Sequence, residues 1–439
     1  MKTWCSRLLL ASLCLAIGLT GTVYAADRIP LAALPAAVGP RAAPDPDTAR
    51  GGPALPPPQP DGEFLLAAGE TDLYHPSIAA GGMLVWYTHG PAGMDVQGLL
   101  LGADGSTPGK IQEIAGGTGD QAMPFVVNDG EHGGYLVVWH DQRGGVADVY
   151  GRFLDAAGRP QGAAFALSTA KGDQLRPTAA YIPAADAFLV VWQDGRAAAE
   201  PDLYARLVPA YSSSALGGGT KALGREWAVS SSPGGQYIPT TACETARAQC
   251  LVVWQDDRYA DDLHTDVVAQ LVDASGEKRV GQEIDVAIAA DYQYSPVVVF
   301  NPVSAEYLVV WDDDISARRL SLAGRPLGAK IPISLESPYQ YKPAVAVMAD
   351  GTYLIVWEDL RGLGKRGADI YGQWLSAAGL PLGGNLALSA DLHNQYSPAL
   401  AAGTGWGPGD LIVIWEDDRA GDTTLALYGA WLSRSTGGR

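Results

Sequence analysis

The chain is poor in the residues that carry most metal and acid–base chemistry. It holds six histidines and four cysteines among 439 residues. His75, His89, His132, His140, His264 and His393 recur in no metal-ligand spacing, so no metal centre is predicted and solvated surface is the expectation for each. Basic charge is scarce as well: 30 Lys and Arg stand against 48 Asp and Glu, giving a formal charge of −18 and a pI near 4.6. Nucleic acid and anionic membranes would repel such a surface, which excludes both as partners. Solubility is the ordinary reason for this charge, with calcium or a cationic partner as the alternative. After the N-terminus no apolar run is long enough to span a membrane, and no helical apolar period is present.

The N-terminus supplies the one long apolar run. Lys2 and Arg7 precede Leu8 to Leu19, and Val23-Tyr24-Ala25 follows as a small-residue cleavage site, so residues 1–25 read as an export signal cut after Ala25. Cys14 follows Ala11-Ser12-Leu13, a poor lipoprotein match, which leaves lipid anchoring as the alternative. Export predicts a secreted protein, extracellular or periplasmic. Residues 26–62, with Pro56-Pro57-Pro58-Gln59-Pro60, read as a disordered Pro/Ala-rich tether. Past the signal only Cys243 and Cys250 remain, a pair that export makes a disulfide.

Residues 63–433 are built from a repeat of about 50 residues. Its landmark is a β-branched run ending in tryptophan, strand B: Met83 to Trp86, Tyr135 to Trp139, Phe188 to Trp192, Leu251 to Trp254, Tyr307 to Trp311, Tyr353 to Trp357 and Leu411 to Trp415. Before it, from a repeated proline (Pro76, Pro124, Pro177, Pro239, Pro296, Pro343, Pro398), runs strand A. After it come an amphipathic strand C, such as Asp148 to Asp155, a Gly-rich turn, and strand D, such as Phe165 to Ser168. The seventh unit supplies A, B and C and then only a short tail, 434–439, whereas Phe64 to Ala67 is a D strand with no A, B or C before it. Pairing the two completes both and leaves no unpaired edge. The predicted fold is all-β: one seven-bladed β-propeller of four-stranded antiparallel blades, closed by the N-terminal strand.

The repeat resembles seven-bladed β-propellers closed in this way. It also looks like repeats of secreted bacterial proteins that carry Leu-Val-Val-Trp-x-Asp-x-Arg and Asp-Ile-Tyr-Gly segments, over residues 64 to 433. That resemblance implies the fold and is silent on activity, since propellers host hydrolases, lyases, lectins and docking platforms alike.

Strand B ends in Trp-x-Asp-x-Arg in five units, through Asp141 and Arg143, Asp194 and Arg196, Asp256 and Arg258, Asp359 and Arg361, and Asp417 and Arg419. A glutamine stands three residues before the proline in six: Gln121, Gln174, Gln236, Gln293, Gln340 and Gln395. Strand alternation puts all of these on one disc face. Unit one has lost the three together, with Leu73, Thr88 and Gly90 in their places, which predicts one hydrogen-bonded structural network. A second carboxylate opens strand C (Asp95, Asp148, Asp202, Asp266, Asp314, Asp369) and makes calcium conceivable, although Arg already supplies the compensating charge; no cofactor is predicted.

Unit five breaks the symmetry. Strand C is expected three residues after Trp311, leaving a notch lined by Asp312, Asp313, Asp314, Arg318 and Gln293, the candidate binding site. Unit three has an extra excursion around Tyr211 to Leu223 on the other face. The inner strands carry small apolar residues (Ser77, Ala79, Val127, Ala179, Val298, Ala346, Ala401) without a carboxylate cluster, which argues against catalysis. The expected function is a rigid, monomeric, non-catalytic scaffold that binds a protein or glycan through one disc face. The alternative is an extracellular carbohydrate-active enzyme.

Overall fold

The computed structural model describes residues 60–433 apart from 103–108, 131, 198–199, 212–221, 259–264, 290–292, 313, 335–338, 363–366, 390, 404–409 and 420–423. The signal, most of the tether, the tail, His264, Asp313 and most of the Tyr211 to Leu223 excursion therefore lie outside the described residues. The remainder forms seven four-stranded antiparallel sheets, each ordered A, B, C, D in space. Blade 2 is representative, with strands Gln121–Asn128, Tyr135–Asp141, Asp148–Leu154 and Pro160–Ser168. Each strand A packs against strand A of both neighbours, the last (Gln395–Ala402) against the first (Leu73–Ile78). Seven inner strands thus surround one axis, and the fold is the β-propeller that the repeat predicts.

The apolar run of strand B is continuous because it is buried on both faces. In blade 2, Val137 and Trp139 enter the core shared with blade 1, while Leu136 and Val138 enter the core shared with blade 3. The same sharing recurs at every junction, and all seven strand-B tryptophans are fully buried. No blade owns a core of its own, so each depends on both neighbours.

Closure falls to the N-terminal strand, Pro60–Ala67, which pairs with Ala426–Ser433 as the fourth strand of blade 7. It begins three residues inside the stretch read as a tether, so residues 60–62 belong to the ring. Leu66 and Ala67 are buried in the core between blades 7 and 1, and Phe64 stacks on Trp431 with centroids 6.5 Å apart. Cys243 and Cys250 are bonded and stand opposite each other in the A-to-B hairpin of blade 4. The same register positions hold the ring pairs Tyr181–Phe188 in blade 3 and Phe300–Tyr307 in blade 5.

Blade 5 is the short one, with strands Val297–Asn301, Glu306–Trp311, Ser316–Ser321 and Ile331–Pro332. Its strand C starts at Ser316 rather than three residues after Trp311. Asp314 and Ile315 take left-handed φ angles of 48° and 38° and form the turn instead of opening the strand.

Closure can be tested by truncation. A chain starting at Leu73 should lose monomeric behaviour or a single cooperative melt, as read by sedimentation and calorimetry, because it removes the fourth strand of blade 7 and part of the core that this blade shares with blade 1.

Candidate functional site

Two constellations converge on the disc face that carries the B-to-C and D-to-A connections. The first is symmetric. In blades 2, 3, 4, 6 and 7 the aspartate of Trp-x-Asp-x-Arg is completely or almost completely buried and accepts the indole N–H of the tryptophan two residues earlier, at 2.9, 2.8, 2.6, 2.8 and 2.9 Å. It also takes the backbone N–H and the guanidinium of the arginine two residues later, as Asp194 does from Arg196 at 3.0, 2.7 and 2.6 Å. In blades 2, 3, 6 and 7 the guanidinium lies over a strand-C tyrosine, 3.9 Å from the ring centroid for both Arg196 on Tyr204 and Arg361 on Tyr371. It then reaches strand D: Arg196 pairs with Glu226 at 2.5 Å, Arg258 with Glu283, and Arg419 with Glu63 of the N-terminal strand. In blades 3 and 7 one arginine therefore ties strands B, C and D of a blade together. These bonds outweigh burial and hold the Asp141 carboxyl below its usual range.

The glutamines do not join this network as expected. The side-chain N–H of Gln121, Gln174, Gln236 and Gln395 goes to the carbonyl two residues earlier, at 3.0, 2.7, 2.7 and 2.7 Å, closing the D-to-A turn rather than reaching the aspartate. The physical reason is reach: the amide folds back on its own chain, while Arg and Trp already surround the carboxylate. In blade 1, Thr88 replaces the aspartate and bonds Thr71 at 2.7 Å and the Asp72 carbonyl at 2.8 Å, and the Trp86 N–H has no hydrogen-bond partner.

The second constellation breaks the symmetry, and it begins with a backbone device. The residue before each repeated proline is left-handed in all seven blades: His75, Met123, Arg176, Ile238, Ser295, Lys342 and Ser397, with φ between 47° and 52°. Side chains, and β-branched Ile238 above all, disfavour this conformation. In six blades it creates a bulge in the A–B ladder. At three junctions the backbone N–H of this residue reaches the preceding blade, where the middle residue of that blade's Trp-x-Asp accepts it. Gln193 accepts from Ile238 at 2.9 Å, Glu416 from His75 at 2.7 Å and Glu358 from Ser397 at 3.4 Å.

That middle residue is Tyr87, His140, Gln193 and Gln255 in blades 1 to 4, and Asp312, Glu358 and Glu416 in blades 5 to 7. The residue after the glutamine position is Tyr294, Tyr341 and Tyr396 in the acidic blades, and also Tyr74 in blade 1 and Tyr237 in blade 4. Tyr341 stands opposite Glu358 across the A–B ladder, and Tyr396 opposite Glu416. Tyr341 feels the charges of Asp312 and Glu358, Tyr396 those of Glu358 and Glu416, and Tyr74 that of Glu416. A crescent of alternating carboxylates and phenols thus runs Asp312, Tyr341, Glu358, Tyr396, Glu416, Tyr74 beside the inner strands.

Burial pushes the Glu358 and Glu416 carboxyls up, against the opposing pull of Lys342, and Glu358 raises Glu416 further. They are 8% and 5% exposed. The Lys342 ammonium lies 3.8 Å from Glu358 and 3.0 Å from the Ser397 hydroxyl. Burial and the neighbouring carboxylates also raise the tyrosines, which keep their protons.

Of the residues expected to line a notch in blade 5, Asp312 is in the crescent and accepts the Tyr294 N–H at 2.7 Å. Asp314 is exposed in the turn, Gln293 is buried with its N–H on the Thr265 carbonyl, and Arg318 lies mid-strand opposite Val309. The crescent extends from Asp312 toward blades 6, 7 and 1, away from Arg318. His140 is buried, contrary to the surface expectation, because its place between Trp139 and Asp141 turns it into the junction with blade 3. The strand-C aspartates stand opposite the strand-B ones, as Asp148 does opposite Asp141, and the neighbouring charge adds to burial in raising Asp148. Among the described residues no three Asp, Glu, His or Cys side chains gather in a way that could hold a metal.

No protein-family model matches the sequence, and no curated protein matches it. Solved structures do. One from Dyadobacter fermentans, described as a protein of unknown function, is 10% identical with a TM-score of 0.51, over 86% of this chain and 100% of its own. An α-L-arabinofuranosidase from Fusarium graminearum in complex with an iminosugar inhibitor is 11% identical with a TM-score of 0.49, over 73% and 99%. An α-L-arabinanase from Penicillium chrysogenum with arabinobiose is 12% identical with a TM-score of 0.44, over 86% and 99%. At these identities the likeness is one of fold.

Two predictions follow from the contrast between the constellations. Arg258→Ala leaves the buried Asp256 without its counter-ion and should cost about 3 kcal/mol in denaturant unfolding. Glu358→Gln and Glu416→Gln should act in the opposite direction. A carboxyl whose folded pKa lies above its unfolded value destabilises the fold at pH above that range and not below it. Each substitution should therefore raise Tm at pH 7, with the gain vanishing as the pH is lowered through the ordinary glutamate value of 4.5, followed by calorimetry.

Proposed function

We propose that the chain is a secreted, non-catalytic propeller that binds a protein or glycan through the disc face on which the crescent opens. The crescent carries this reading. Tyrosines combine an apolar ring with a polar tip, and alternating them with carboxylates supplies the mix of stacking surface and hydrogen-bond acceptors on which recognition sites rely. The symmetric staples serve what every blade must do, whereas the crescent occupies one arc of the ring, which is where a ligand-specific feature belongs. Secretion draws support from the export-signal pattern of residues 1–25 and from the Cys243–Cys250 disulfide, a bond that persists in oxidising compartments. Among the described residues no helix is long and apolar enough to cross a membrane.

A second reading, an extracellular carbohydrate-active enzyme, has one specific observation in its favour. Glu358 and Glu416 are neighbouring carboxyls raised by burial, the direction of shift that a general acid needs. Glycan and protein arrays probed with wild type and with Tyr341→Ala/Tyr396→Ala separate the two. Binding that is lost in the variant, with polysaccharides left intact, is the expected result. Turnover abolished by Glu358→Gln or Glu416→Gln would replace the binding reading with the enzymatic one.

A further inference from the structure

We propose that the crescent takes an organic cation, an alkylammonium or guanidinium group, seated between the rings of Tyr341 and Tyr396 and the carboxylates of Asp312, Glu358 and Glu416. This inference rests on the crescent being the ligand site and names the chemistry that the site selects.

Four observations lead there. Acidic middle residues occur in blades 5 to 7, and each is accompanied there by a tyrosine after the glutamine position, a tyrosine that blades 1 and 4 carry without the acid. An ammonium group already lies against this arc, because the Lys342 Nζ is 3.8 Å from Glu358 and 3.0 Å from the Ser397 hydroxyl. The Lys342 side chain is 47% exposed, so a ligand cation can displace it into solvent without burying a charge. Glu358 is 8% exposed and uses Oε2 for Ser397 and Lys342; its Oε1 accepts no bond from the described residues. Finally, the same fold already seats cations on tyrosine rings beside buried carboxylates, in the four staples where a guanidinium lies 3.9 to 4.5 Å from a ring centroid. The crescent offers rings and carboxylates without a guanidinium of its own.

The energetics agree. A cation over a neutral phenol gains from the ring quadrupole, and more so where water is partly excluded. The crescent carries three carboxylates against one lysine, and the protein's formal charge of −18 draws cations toward it.

Two sources share this chemistry: a free polyamine, and the lysine or arginine side chains of a protein partner. Isothermal titration of the full secreted chain with spermidine, with a Lys/Arg-rich peptide and with a neutral oligosaccharide distinguishes them. Binding of spermidine or of the peptide supports the proposal and identifies the source. Glu358→Gln and Glu416→Gln should each weaken that binding by about tenfold, and Lys342→Gln, which removes the internal competitor, should strengthen it. Melting curves establish that the variants are folded. The proposal falls if no cationic probe binds, or if binding is indifferent to both glutamates. A neutral oligosaccharide that binds in a Tyr341- and Tyr396-dependent way while cations do not would also overturn it, yet would leave the ligand-binding role of the crescent standing.

Discussion

The ring depends on a hydrogen bond that a regular strand could not make. At the entrance to each inner strand the residue before the proline is forced left-handed, at a cost of order 1 kcal/mol or more where the side chain is bulky. The proline does not supply this conformation, since its ring steers the residue before it toward extended backbone. What the strained residue gains is direction: its N–H points out of its own ladder and into the neighbouring blade. Where that N–H meets Gln193, Glu358 or Glu416, two blades are held at a fixed register next to the axis. Further bonds reinforce the junction, with Asp72, Asp120, Asp173 and Asn394 each accepting a backbone N–H from the blade before.

This geometry explains why one arc of the ring became chemically distinct. The middle residue of Trp-x-Asp has a structural duty, to accept one N–H, and any acceptor fulfils it. Gln193 meets that duty without charge. Glu358 and Glu416 meet it too, but each brings a second oxygen and a buried charge that the duty does not require. A structural role held by a neutral residue in one blade and by a destabilising acid in another points to a second use for the acid. The arginine staples show the opposite behaviour. Their carboxylates are paired with the same tryptophan and arginine positions in all five blades.

Much of this architecture was legible in the sequence, because the repeat states it seven times. The B-strand tryptophans, the orphan first strand, the short fifth blade and the cysteines in place of an aromatic pair all followed from aligning the copies. The crescent is less legible because it lies in what distinguishes the copies rather than in what they share. Strand alternation contained the signal: in Trp-x-Asp the tryptophan and aspartate face one side of the blade, so the intervening residue must face the other, toward the next inner strand. Acidity at that position in three consecutive units, together with a tyrosine after the glutamine position, marks the arc. The left-handed residue was less accessible. Its side chains range from serine to isoleucine, and composition carries no trace of the conformation.

The closing strand gives the ring a mechanical character that its cooperative packing does not suggest. Pro60 stands opposite Leu432, and Ala67 opposite Leu427, so the start of the first strand and the end of the last lie side by side at one edge of blade 7. Tension applied between those two points loads the ladder one pair at a time, from Pro60 inward, as a zipper rather than in shear. Phe64 against Trp431, and Glu63 against Arg419, are then the catches that the zipper meets first. A ring that resists unfolding when heated as a whole would open readily from this one edge when pulled.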